Sequence, residues 1–75
     1  MALKGELRKS YEDFPASVID RAIAEWIHDQ RDRRILHYKL VDGLTFERIA
    51  EIEGMSDRQV KRIVHGLHKR LMEHL

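Results

Sequence analysis

Arg58 and Arg62 stand four residues apart, the interval that sets two side chains on one face of a helix. A guanidinium is a rigid fork of donors, and such a fork matches paired acceptors such as O6 and N7 of guanine in a major groove. Asp57 precedes them and His65 extends the same face. A carboxylate accepts from the cytosine amino group, although in a first helical turn it is equally explained by the helix dipole. Lys61 and Lys69 are compact point charges suited to phosphate, and Thr45 and Ser56 can donate to phosphate from helix starts. The candidate base contacts are therefore Arg58, Arg62, Asp57 and His65, and the candidate phosphate contacts Thr45, Ser56, Lys61 and Lys69.

Such side chains read a duplex only if a rigid frame holds them outward. The stretch from Thr45 to Leu71 has the spacing for one, with Ala50, Gly54 and Val60 as its structural positions. Two helices joined by a three- or four-residue turn touch closely, so a small residue is needed at the crossing and a glycine after the first helix. Val60 projects back into the crossing, where Ile49, Ile52, Met55, Val60 and Ile63 would close an apolar wedge. Ser56 with Gln59 reads as a capping box, with Met55 and Val60 as its hydrophobic staple. Thr45 reads as the cap of the preceding helix, with Leu44 against Ile49. This is a helix-turn-helix pattern; an ordinary helical hairpin with a glycine in its turn shares the spacing.

The remaining chain also reads as helical, because apolar residues recur every three or four positions and no segment alternates as a strand does. Leu3, Leu7, Tyr11 and Phe14 make a loose stripe. Pro15 sits where a helix can begin, and Ile19, Ala22, Ile23, Trp26 and Ile27 form the expected buried face. The run HDQRDRR lacks apolar residues, which places a break near Asp29 to Asp32 with either aspartate as a cap; one continuous helix competes with it. A further helix covers Ile35 to Val41, partly burying Ile35, Leu36, Tyr38 or Leu40, and stops at Asp42-Gly43. The expected fold is all-α, a small four- to five-helix bundle with a C-terminal helix-turn-helix at about 45–71. Residues 1–14 are an arm or short helix, and 15–75 the DNA-binding domain.

The segment from about Arg33 to Leu71 resembles sigma-factor region four and, nearly as closely, the DNA-binding domain of LuxR-type regulators. The likeness runs through Arg34, Ile35, Leu36, Gly43, Leu44, Thr45, Ile49, Ala50, Gly54, Ser56, Val60, Lys61, Leu67 and Leu71. The family pattern usually has glutamate where this chain has Arg48 and an apolar residue where it has Glu53. The resemblance implies a promoter-reading module that also touches RNA polymerase. A complete sigma factor needs a further domain that 75 residues do not accommodate, so the expectation is a stand-alone regulator or an excised domain.

Composition narrows the classes. Net charge is only +1, but from Asp57 onward Arg58, Lys61, Arg62, Lys69 and Arg70 face only Asp57 and Glu73, a local basic excess typical of a phosphate-facing helix. The absence of cysteine excludes a disulfide framework and a thiolate metal site. No apolar run is long enough for a membrane span or signal peptide, so the expectation is a cytoplasmic protein without a membrane partner. His65 and His68 share a face at a chelating spacing, but no further ligand completes a metal site. Asp29 with Asp32 reads as a capped turn rather than a catalytic acid pair, and Ser17 and Ser56 lack a base, so neither an enzyme nor a cofactor is expected. Double-stranded DNA is the expected partner. The rival is an interaction module of the same fold that binds polymerase, a sigma factor or another regulator. Val60, Val64, Leu67, Leu71 and Leu75 form a stripe that either packs within the chain, over Trp26, or pairs two copies as a homodimer. Gly66 marks close approach of another helix or a tolerated bend.

Overall fold

The computed structural model describes residues 14–75; the stripe of Leu3, Leu7 and Tyr11 lies outside them. Four helices follow: α1 (Ala16–Trp26), α2 (Gln30–Leu40), α3 (Phe46–Glu53) and α4 (Asp57–Met72), with no strand among the described residues. None is long and apolar enough to cross a membrane.

Each helix starts where the local chemistry directs it. Pro15 precedes α1 with φ −61°, a value its ring fixes in advance, and its carbonyl accepts from Val18 and Ile19. Asp29 caps α2 by accepting from the Asp32 amide at 3.0 Å, so the chain breaks before Gln30 rather than running on from α1. Thr45 caps α3 through the Arg48 amide at 3.1 Å. At α4 the capping box is complete: Ser56 Oγ accepts from the Gln59 amide at 3.1 Å, and Gln59 Oε1 accepts from the Ser56 amide at 3.0 Å. Between α3 and α4, Gly54 takes φ +67°, and both its amide and that of Met55 return to the Ala50 carbonyl. That closure satisfies the Ala50 carbonyl twice and needs the left-handed residue that glycine supplies.

The core divides in two. One cluster joins Ile19, Ala22, Ile23 and Ile27 of α1 and its exit to Leu36 and Leu71, with Phe14, Leu67 and Leu75 against it. The other joins Ile35, Ile49, Ala50, Val60 and Val64, flanked by Leu44, Phe46, Met55 and Ile63. Neighbouring residues of α2, Ile35 and Leu36, thus enter different clusters, and α4 serves both. The stripe on α4 is taken up inside the chain, with Val60, Val64 and Leu71 buried.

Two sequence expectations need correcting. Trp26 is 41% exposed; as the last residue of α1 it stacks on His74 with ring centroids 3.6 Å apart and planes 6° apart, at the rim of the first cluster. Ile52 is 43% exposed and not part of the wedge. In the eight-residue α3 the inward positions are 46, 49, 50 and 53, one face at helical spacing, which puts Ile52 outside and Glu53 inside. Gly66 has open space where a Cβ would stand, so among the described residues no helix approaches it there.

The two glycines should therefore respond oppositely to alanine. Gly54→Ala is expected to destabilise by about 1–2 kcal/mol, the cost of a Cβ in left-handed backbone, whereas Gly66→Ala should stabilise by about 0.5–1 kcal/mol through helix propensity. Urea denaturation of both variants checks this, and equal effects would contradict the turn geometry.

Candidate nucleic-acid interface

The outer face of α4 is built by what its inner face must do. With Val60, Val64 and Leu71 directed into the two clusters, Asp57, Arg58, Lys61, Arg62, His65, Lys69 and Arg70 are left exposed. Every base and phosphate candidate on this helix is therefore on the outside, and Arg58, Arg62, His65 and Lys69 form one row along it. The helix is 16 residues long, about 24 Å at 1.5 Å per residue.

Charge pairing separates this row from the arginines of α2 and α3. Arg31 lies 3.8 Å from Asp32. Arg33 donates to the Ala24 carbonyl at 2.7 Å and to that of Ile27, closing the end of α1. Arg48 pairs with Glu51 at 3.0 Å. Arg34 grips Glu53 with two parallel bonds of 2.8 Å each. On α4, by contrast, Arg58, Lys61, Arg62, Lys69 and Arg70 make no ion pair among the described residues. His68 is partly buried; that burial, and then neighbouring His65, lowers its pKa from the ordinary 6.5.

The two caps differ in what they leave available. Ser56 Oγ also lies 3.3 Å from Gln59 Oε1, so the box engages the hydroxyl as donor and acceptor. Among the described residues Thr45 Oγ1 only accepts, from Arg48, which leaves its proton for another acceptor. Beside it, Phe46 gathers groups from two other helices. Lys39 Nζ stands 4.3 Å from the ring centroid and Lys61 Nζ 5.8 Å, while the His65 ring meets it edge-on at 6.1 Å and 84°. Sequence reasoning missed Lys39 and Phe46. Lys39 lies one turn after Ile35 and Phe46 one turn before Ala50, so both are rim positions of the second cluster, a signal present in the helical spacing.

Glu53 occupies the position where the region-four pattern has an apolar residue. Its side chain is 6% exposed, and the half-exposed Arg34 seals it from α2. The hydrogen bonds from Arg34 hold the carboxyl below its ordinary pKa, against an opposing effect of burial. This pair fastens the C-terminal end of α3, next to the Gly54 turn, to α2.

A second polar arrangement lies elsewhere. His37 is 3.3 Å from Asp20 through Nε2 and 3.2 Å from Asp42 through Nδ1, beside a concavity of about 480 Å³ lined by Ile23, Ala24 and Tyr38 among others. No nucleophile accompanies this chain of groups, and it reads as a surface clasp between α1 and the end of α2. Among the described residues no three His, Asp or Glu side chains are grouped to hold a metal ion. No family model, curated protein or solved structure matches this chain.

Glu53→Gln is expected to lower the melting temperature near pH 7. Because the folded carboxyl titrates below the ordinary 4.5, the advantage of the parent is full above that value and disappears as pH falls through the folded one. Parent and variant melts should therefore converge in acid, and a gap that stays constant from about pH 7 to about pH 3 would exclude the ion pair as its source.

Proposed function

We propose that this chain is a sequence-specific DNA-binding transcriptional regulator, with α3 and α4 as a helix-turn-helix and α4 as the recognition helix. The single observation that carries the reading is the exposed row on α4 without ion pairs among the described residues, set against arginines of α2 and α3 that all have partners there. A charge row kept unpaired beside a tight, fully capped turn suits an external polyanion. In this reading Arg58 and Arg62 contact guanine edges, with Asp57 and His65 at either end of that face. Lys61, Lys69 and Thr45 contact phosphates, as does Ser56 through the amides of its helix start. The likeness to sigma-factor region four supports the same assignment and adds RNA polymerase as a second partner in the cytoplasm. A homodimer has less support, because the stripe on α4 is occupied within the chain.

A second reading, docking to polymerase or another regulator without DNA, is favoured by Ile52, an apolar side chain exposed on the outer face of α3. The two readings differ in their dependence on salt. Contact with about four to six phosphates gives a log–log slope of affinity against salt near −4 to −5. Arg58→Ala and Arg62→Ala should each cost about 1–3 kcal/mol and relax sequence preference, while Lys69→Ala should weaken all sequences alike. Titration of random and promoter-like duplexes at several salt concentrations checks both expectations, and arginine variants that bind like the parent would overturn the assignment.

A further inference from the structure

The ring of Phe46 has a property that the row on α4 does not explain. It sits at the first position of α3, and Lys39 from the last turn of α2 and Lys61 from α4 both reach it. The two ring distances together cap the separation of the ammonium groups at about 10 Å, short enough for mutual repulsion to count at modest salt. Among the described residues neither lysine forms an ion pair with a carboxylate, and Glu47, the acid in the same first turn, pairs with neither. The aromatic face offsets part of that repulsion and fixes where the ammonium groups stand.

Further donors stand beside Phe46 in the chain. Lys39 Nζ uses one N–H on the Leu44 carbonyl at 3.2 Å and keeps two. Thr45 Oγ1 retains its proton, and the start of α3 adds oriented amides with the positive end of the helix dipole. We propose that Lys39, Lys61 and Thr45, gathered around Phe46, seat one backbone phosphate of duplex DNA, with Lys39 as a contact from outside the helix pair. This rests on the duplex-binding reading and extends it to α2. Ammonium groups are point charges that suit a phosphate oxygen rather than the paired acceptors of a base edge. Lys61 stands one turn from Arg58 and beside Arg62, so the seat adjoins the base-reading row and sets its register along the groove. Phe46 acts as a positioning residue, holding both lysines without touching the ligand.

The test compares Lys39→Gln, Lys39→Arg and Phe46→Leu with the parent and with Arg58→Ala on random and promoter-like duplexes. Lys39→Gln is expected to weaken every duplex by the same factor, roughly eightfold at about 0.1 M salt, and to make the salt slope shallower by about 0.9, the value for one lost phosphate. Lys39→Arg should keep the parental slope. Phe46→Leu should weaken binding, and adding Lys39→Gln to it should cost less than in the parent, because the two share one contact. Circular dichroism melts confirm that each variant is folded. If Lys39→Gln leaves affinity and slope unchanged while Arg58→Ala loses binding, the seat is refuted and the duplex-binding reading stands. If the parent itself binds no duplex, both fall.

Discussion

Ile35 and Leu36, adjacent on α2 and both fully buried, are the constraint on which the rest of the structure depends. Successive residues of a helix point about 100° apart, so a pair buried on both sides forces α2 to stand between two apolar clusters rather than beside one. α1 covers one side and α3 the other. α4 must then run past both, inserting Val60 and Val64 at its start and Leu71 near its end. A helix held at two separated points cannot roll about its axis without opening one cluster. The outward row of Arg58, Arg62, His65 and Lys69 is thus fixed in direction by side chains on the opposite face.

The polar contacts refine this frame where apolar packing is absent. At position 53 a carboxylate stands on the inward face, and burying it alone would be costly. Arg34 supplies two charge-assisted bonds in a matched geometry, which is stronger and more directional than a single ammonium contact. Arg33 similarly satisfies carbonyls at the end of α1, where that helix has no basic residue of its own in its last turn. The arginines of α2 thereby hold neighbouring elements in place, while those of α4 make no ion pair among the described residues.

Much of the frame was legible in the sequence because it is written locally. Asp29, Thr45 and the Ser56–Gln59 pair each satisfy amides within three residues of themselves, and Gly54 marks its turn through backbone geometry alone. Periodicity also picked out Ile49, Ala50, Val60 and Val64. It failed at Ile52 because α3 has only two turns, and residues 49 and 52 share a spacing that suits either face. Arg34, nineteen residues away, is what lets a carboxylate occupy the inward position 53, and no local pattern records that contact. Trp26 misled for a similar reason: it continues the apolar spacing of α1, but the helix ends there and Ile27 takes the inward place. On the site, the exposure of the basic row followed from the stripe opposite it, whereas the gathering of Lys39 and Lys61 at Phe46 depends on three helices meeting and could not be read from any one of them.

The stack of Trp26 on His74 gives the molecule an intrinsic optical reporter. There is one tryptophan in the chain, and its indole lies parallel to an imidazole contributed by the far end of the sequence. Emission from that indole senses whether the last turn beyond α4 is seated on the exit of α1. A change in its fluorescence would then register movement of that last turn, without any label being attached.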